Sequence, residues 1–179
     1  MKITQELLDR LTEEAKASPR LRVNYDLRNS AEDGSQRMLN AIEPGSVLPI
    51  HRHRKTSETM VCLRGKLVVE YYEEFTGGDG SSQGEAASSP LDSATRLVEE
   101  QDARKPSERG PRRADGAPRL VDGMPRLVET IELSPNGPVV ALNIPAGQWH
   151  TVRSAETGTV ILEMKNGAYE PLSEEDVLK

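Results

Sequence analysis

The positions of three histidines constrain the fold of this chain more than any other feature of its sequence. His51 and His53 are separated by one residue, and Glu58 follows shortly after them. Because successive side chains of a β-strand point to opposite faces, the two imidazoles of a His-x-His strand point the same way and could reach one ion. Glu58 lies at an odd offset from His53, so we expect a hairpin within residues 54–57 that returns its carboxylate to the same side. The sequence therefore predicts a metal site among β-strands.

A longer pattern surrounds these residues. The spacing G-x5-H-x-H-x4-E-x6-G runs without a mismatch from Gly45 to Gly65. It resembles the first motif of the cupin superfamily, whose members fold as small β-barrels. By this resemblance, His51, His53 and Glu58 are metal ligands on neighbouring strands of such a barrel.

The third histidine lies in a second motif near the end of the chain. Pro145, Gly147 and His150 form the pattern P-x-G-x-x-H, which resembles the core of the second cupin motif. Pro and Gly favour a turn, which would place His150 on the strand that follows. The match is incomplete, because Val139 and Ser154 stand where the family pattern has Gly and Asn. Neither departure removes the predicted ligand.

The predicted metal ligands are therefore His51, His53, Glu58 and His150. Three neutral imidazoles and one carboxylate suit a divalent first-row transition metal, and they leave coordination positions open for water or substrate. Mn, Fe, Co, Ni, Cu and Zn all fit this ligand type. Two alternatives stay open: the histidines are ordinary surface residues, or a bound metal serves stability alone.

Composition limits the class of protein. The chain has 179 residues, of which 35% are hydrophobic, enough for one domain with a core of its own. Its 23 basic and 29 acidic residues give a net charge of −6, which argues against a nucleic-acid partner. The sequence has neither a long apolar run nor a secretory leader, and its single cysteine cannot form an internal disulfide. We therefore expect a cytoplasmic protein with no membrane partner.

The hydrophobic pattern predicts mostly β-structure. Apolar residues at helical spacing indicate one short N-terminal helix that ends before Pro19, and strict alternation over residues 21–28 indicates the first strand. Further strands are predicted at 37–43, 59–65, 66–75, 127–133, 139–144 and 159–164. We therefore predict an all-β fold, a single cupin jelly-roll barrel preceded by a short helix.

Residues 76–127 interrupt this pattern. They are rich in Gly, Ser, Pro, Glu and Arg, and they lack the apolar content that would offset the entropy lost on ordering. We predict a long, disordered, low-complexity insertion whose flanking segments are joined as a hairpin. The predicted cupin domain then comprises residues 1–75 and 128–179.

Within the superfamily, the chain resembles the WbuC-type cupins, a small bacterial group. Besides the two motifs, the resemblance rests on residues 20–22, 36–37 and 163–171, and it covers about residues 1–75 and 128–172. It implies a cupin-fold metalloprotein that is encoded among surface-polysaccharide genes in many bacteria and whose reaction is not established. It also implies a homodimer.

Three functional hypotheses are compatible with these features. The first is an isomerase or epimerase that acts on a sugar or nucleotide sugar, where a divalent ion stabilises the charge formed as a carbon next to a carbonyl loses its proton. The second is a metal-dependent dioxygenase, because the ligand set can also hold iron. The third is a non-catalytic sugar-binding module. All three imply a small, carbohydrate-like or organic ligand.

The sequence does not identify the catalytic residues. By residue type alone, the candidates for a base are Tyr25, Glu163 and Lys165. The side chains that could bind a phosphate are Arg37, Arg52 and Lys55. Trp149 precedes His150, and strand alternation sends it to the opposite face, so we expect it to pack rather than to bind ligand.

Overall fold

A computed structural model describes residues 1–74 and 125–178 of the protein. In chain order the elements are α1 (Gln5–Ala17), β1 (Arg22–Asp26), β2 (Ser35–Ile42), β3 (Ile50–His51), β4 (Glu58–Arg64), β5 (Leu67–Glu74), β6 (Pro125–Leu133), β7 (Ala141–Ile144), β8 (Trp149–Ser154), β9 (Thr159–Asn166), a short 3-10 helix (Glu174–Asp176) and β10 (Val177–Leu178).

Ten described strands form two sheets of five. The first sheet has the order β1-β2-β9-β4-β7 and the second has the order β10-β3-β8-β5-β6. All pairs between these strands are antiparallel. The two sheets share one buried core, formed by Ile42, Met60, Cys62, Leu67, Val69, Leu133, Ile144, Val152 and Ile161. The predicted all-β jelly roll is confirmed, and its strands lie within a few residues of the predicted positions.

The N-terminal helix covers the outer face of the first sheet. It begins after Thr4, whose hydroxyl accepts a hydrogen bond from the backbone of Leu7, and it ends before Pro19 as predicted. Its apolar side packs against Leu39 and Ala41 of β2. Because side chains alternate along a strand, the even-numbered residues of β2 face the barrel interior.

The predicted hairpin within residues 54–57 is wrong. β3 and β4 lie in different sheets, and residues 52–57 form a loop that crosses from one sheet to the other. The predicted His-x-His strand is also shorter than expected, because β3 ends at His51 and His53 lies in this loop. Glu58 still joins the cluster. Its side chain projects from the inner face of the first sheet, and those of His51 and His150 project from the inner face of the second, into the same interior.

The predicted insertion, residues 76–127, lies outside the described residues except for its last three. Residues 125–127 begin β6, which pairs with β5, so the two flanking segments meet as predicted. The division of the chain into residues 1–75, 76–127 and 128–179 stays a prediction.

Within the described part of the chain, no helix has both the length and the apolar character needed to cross a membrane.

Candidate metal centre

The structure brings all four predicted ligands together. His51 ends β3, His53 follows it in the loop, Glu58 begins β4 and His150 lies in β8. One ligand atom from each side chain lies within 4.8 Å of the others. Residues separated by about a hundred positions in the sequence thus converge on one point between the two sheets.

Strand pairing places two of the imidazoles side by side. His51 and His150 lie directly opposite each other on β3 and β8, and their ring centroids are 4.4 Å apart. The ring of His53 lies 5.2 Å from that of His51. Glu58 reaches the same point from the facing sheet, with Oε2 3.0 Å from Nε2 of His53 and 4.0 Å from Nε2 of His150.

Backbone carbonyls orient two of the rings. Nδ1 of His51 lies 3.1 Å from the carbonyl oxygen of Pro49, and Nδ1 of His150 lies 3.0 Å from that of Gln148. A carbonyl oxygen only accepts hydrogen bonds, so each Nδ1 carries the proton and each Nε2 keeps a lone pair. Metal-binding histidines commonly show this arrangement, in which one nitrogen is fixed by a hydrogen bond and the other is available to the ion.

The third imidazole is held differently. Nζ of Lys165 lies 3.1 Å from Nε2 of His53. A lysine ammonium only donates, so Nε2 of His53 accepts this bond and has no proton to offer Glu58. Nε2 of His150 and Oε2 of Glu58 also have no hydrogen-bond partner among the described residues. Several lone pairs therefore face one another in a buried place, an arrangement that a cation would stabilise.

Burial and charge set the protonation of the cluster. Burial, assisted by the nearby His150, lowers the pKa of His51 to about 4. Burial also lowers the pKa of His150. Burial raises the pKa of Glu58, but the polar and charged groups around it, Lys165 among them, outweigh burial, so this pKa lies below its ordinary value. Neutral imidazoles and an ionised carboxylate are the forms that bind metal ions, so these residues fit a divalent transition metal.

A cavity opens from the cluster into the barrel. Its volume is about 220 Å³, and His51, His53 and Glu58 line one part of its wall. Outside it, a depression of about 500 Å³ is lined by the loop after β3 and by residues of the C-terminal segment. A small molecule could therefore reach the cluster from the surface.

The three candidates for a base are separated by the structure. Glu163 and Lys165 lie on β9 and line the cavity. Burial, followed by the charge of Glu58, raises the pKa of Glu163 to about 7. Tyr25 instead packs in the apolar cluster around α1, with the guanidinium of Arg10 over its ring. Tyr25 is therefore not brought to the site.

The three candidates for phosphate binding also lie in different places. Arg37 points away from the cavity and pairs with Asp33 at 2.7 Å. Arg52 and Lys55 line the outer depression, where Arg52 contacts Asp176 at 3.2 Å. Of the three candidates, Arg52 and Lys55 are the two that could meet a charged group at the entrance.

Trp149 is a packing residue in this structure. Its side chain is buried, its indole nitrogen donates to Glu74 at 3.1 Å, and Arg52 lies 4.3 Å from its ring centroid. The position agrees with the strand alternation that sends Trp149 to the face opposite His150.

Sequence reasoning did not identify two polar side chains in the cavity. Gln36 and Asn40 on β2 are buried and line its wall. The alternation along β2 could have grouped them, because it puts both residues on the face opposite Leu39 and Ala41. The sequence left open which of these faces lies inside the barrel.

Comparison with known proteins leaves the function open. The family described as a domain of unknown function (DUF6016) matches residues 3–79, which is less than half of the chain. No curated protein matches the chain.

Several solved structures are similar to this chain. KdgF from Halomonas sp. is 11% identical, with 85% of this chain and 84% of that chain covered and a TM-score of 0.45. L-Ribose isomerase from Cellulomonas parahominis, with L-psicose, is 15% identical, with 96% and 87% covered and a TM-score of 0.47. Recombinant oxalate oxidase in complex with glycolate is 14% identical, with 88% of this chain and 56% of that chain covered and a TM-score of 0.48.

The chain folds as a jelly roll of two five-stranded antiparallel sheets. It spans only about half of the oxalate oxidase chain, 56%. With identities of 11% to 15% and TM-scores of 0.45 to 0.48, these likenesses carry no functional argument. Any such argument has to come from the chain's own cavity and side chains.

Proposed function

We propose that this protein is a divalent-metal-dependent enzyme that moves a proton next to the carbonyl group of a small carbohydrate, as an isomerase or epimerase. One observation carries the proposal: His51, His53, Glu58 and His150 place their ligand atoms within 4.8 Å of one another beside a cavity. The cluster provides a place for a cation, and the cavity provides room for a substrate beside it.

The four side chains would hold the ion through imidazole nitrogens and a carboxylate oxygen. A bound divalent ion would supply Lewis-acid stabilisation of negative charge on a substrate oxygen. Ligand type leaves Mn, Fe, Co, Ni, Cu and Zn as candidates.

Glu163 is the residue best placed to move the proton. Its carboxyl group lies inside the cavity, and Oε2 accepts a hydrogen bond of 2.6 Å from Nδ2 of Asn40. With a pKa of about 7, this carboxyl can take up and return a proton near neutral pH. We propose that Glu163 removes the proton from the substrate carbon and returns it to the same or the neighbouring carbon.

The size of the cavity favours a small substrate. Ligand pockets commonly measure roughly 300–1,000 Å³, whereas this cavity measures about 220 Å³. A monosaccharide or smaller unit would bind inside. If the substrate is a nucleotide sugar, its phosphates would lie in the outer depression near Arg52 and Lys55.

The experiment is solvent exchange in heavy water. The metal-loaded protein is incubated with a panel of aldo and keto sugars, and proton NMR follows deuterium incorporation next to the carbonyl together with formation of the isomer. We expect exchange that requires both the metal and Glu163. Loading without exchange or turnover on any sugar would contradict the proposal.

The same samples distinguish the other two hypotheses. Oxygen uptake that depends on added iron would instead favour a dioxygenase. Tight sugar binding without exchange, oxygen uptake or product would favour a non-catalytic module.

We further propose that the protein is a WbuC-type cupin that serves surface-polysaccharide biosynthesis in the cytoplasm as a homodimer. The resemblance over residues 20–22, 36–37 and 163–171 supports this assignment. Light scattering coupled to size-exclusion chromatography tests the homodimer, for which a monomeric mass would be the contrary result.

A further inference from the structure

The inner face of the first sheet is unusually polar for the interior of a small barrel. Strand register places Gln36 of β2 and Glu58 of β4 on either side of Lys165 in β9. Directly opposite residues in adjacent strands have Cβ atoms about 4.5–5.5 Å apart, so these three side chains form one row. The next row along β9 contains Glu163, between Met38 and Met60.

Two side-chain amides on this face are held in place by hydrogen bonds that their nitrogen atoms donate. Nε2 of Gln36 donates to the carbonyl oxygens of Gly167 at 3.3 Å and Ala168 at 3.1 Å. Nδ2 of Asn40 donates to Oε2 of Glu163 at 2.6 Å. Backbone carbonyls only accept, so they fix the oxygen of Gln36 at the free end, and an ionised Glu163 does the same for Asn40.

The amide oxygens are left without partners. Oε1 of Gln36 and Oδ1 of Asn40 have no hydrogen-bond partner among the described residues. The side chains belong to residues that are only 4% and 8% exposed, and both line the cavity. Leaving a buried acceptor unpaired is unfavourable, and apolar side chains would fill a simple core without that cost. The pair is therefore explained better by a ligand than by packing.

We propose that Gln36 and Asn40 form a hydroxyl-binding subsite, in which their amide oxygens accept hydrogen bonds from two hydroxyl groups of a small polyhydroxy ligand. The placement of the other end of this ligand, at the cluster of His51, His53, Glu58 and His150, rests on the proposed function. The subsite thus makes a polyhydroxylated chain or ring the ligand class, and it selects against deoxy analogues.

Glu163 adds to the selectivity of this subsite. It is held by Asn40, and burial raises its pKa to about 7, so near neutral pH it can present either a donor or an acceptor. A hydroxyl group can match both states because it donates and accepts. An ammonium group only donates and a carboxylate only accepts, so neither can match both states of Glu163.

The test uses hydroxy acids with a common chelating end and a varying number of further hydroxyls. Lactate has none, glycerate has one, and the four-carbon epimers erythronate and threonate have two. Titration calorimetry of the metal-loaded protein should show an affinity gain of about 5- to 150-fold for each hydroxyl that reaches an acceptor. Both epimers are used because the subsite is chiral and one of them should fit better.

Substitution of each amide residue then tests whether the gain in affinity depends on that amide. Gln36→Leu and Asn40→Leu should each remove one step of the series, where each affinity is taken relative to the affinity of the same variant for lactate. Arg37→Leu is the matched control, because it alters the outward-facing neighbour of Gln36 on the same strand. It should leave the whole series as in the wild type.

Equal wild-type affinities for lactate, glycerate and both tetronates would overturn the subsite, whether or not the variants fold. Failure of the proposed metal site has a different signature, namely no metal uptake and no lactate binding, and failure of the proposed reaction shows only as absent deuterium exchange. If the metal site fails, erythritol, added to the metal-free protein, should still shift the side-chain amide NMR signals of Gln36 and Asn40. Unshifted signals at saturating erythritol would overturn the subsite independently of any metal.

Discussion

Removal of two imidazoles should abolish metal uptake without unfolding the barrel. In the double variant His51→Ala, His53→Ala only Glu58 and His150 remain of the four clustered ligands. The structure shows one hydrogen bond for each deleted ring. The ring of His51 donates to the carbonyl oxygen of Pro49, and the ring of His53 accepts from Lys165. At about 0.5–1.5 kcal/mol for each bond, the metal-free variant should lose roughly 1–3 kcal/mol of unfolding free energy.

Added metal should change the unfolding free energy by a similar amount, but only in the wild type. A ligand at 100 times its Kd stabilises the folded state by about 2.7 kcal/mol. Urea denaturation should show this gain for the wild type when a divalent transition metal is added, and no gain for the double variant. Elemental analysis should show the metal-to-protein ratio fall from one to zero.

A matched control is available on the same loop. Lys55 is highly exposed and contacts Glu170 only at 3.8 Å, so Lys55→Ala should bind metal as the wild type does. An unchanged metal content in the double variant would refute the site. So would an equal gain in stability on adding metal.

Three further predictions follow from particular contacts. Gly65→Ala should cost about 2–5 kcal/mol, because φ is +75° and a Cβ atom would lie 2.6 Å from Oγ1 of Thr159, whereas Gly147→Ala, with φ +84° and nothing within 4 Å, should cost only about 1–2 kcal/mol. Equal urea midpoints for the two variants would contradict this steric reasoning. Glu163→Gln should abolish deuterium incorporation into a substrate sugar and keep the metal-to-protein ratio, and a wild-type exchange rate would exclude Glu163 as the base. The pKa of Asp176 is lowered to about 2, first by Arg54, so the ion pair stabilises the fold fully above the unfolded value of 3.8. The wild-type advantage over Asp176→Asn in unfolding free energy should therefore shrink as the pH falls from 3.8 to about 2, and an advantage that stays constant across this range would contradict the ion pair.

The ligand cluster was predictable because its signal is local. A His-x-His pair with a nearby Glu, and a single further histidine after a Pro-Gly turn, leave few ways to combine the four side chains. Strand alternation likewise predicted the orientation of Trp149. The orientation of Trp149 needs only the geometry of one strand. The grouping of His150 with the other three ligands came instead from the resemblance to the two cupin motifs.

The features that the sequence did not reveal depend on pairing between distant segments. Whether residues 52–57 form a hairpin or a crossing loop depends on which strands β3 and β4 join, and their partners come from residues 141–178. The position of Tyr25 outside the site and of Gln36 inside it likewise depends on which face of the sheet α1 covers. Periodicity gives two faces for a strand, and only the neighbouring elements decide which one is interior.

Pairing of β10 with β3 has a consequence for biosynthesis. Val177 lies opposite His51, so the strand that carries this histidine gains its second neighbour only from residues 177–178. On the ribosome, His51, His53 and Glu58 emerge first, and His150 follows Glu58 only after 92 positions. Nascent chains stalled before residue 150 should therefore lack the fourth ligand and remain unable to capture the ion.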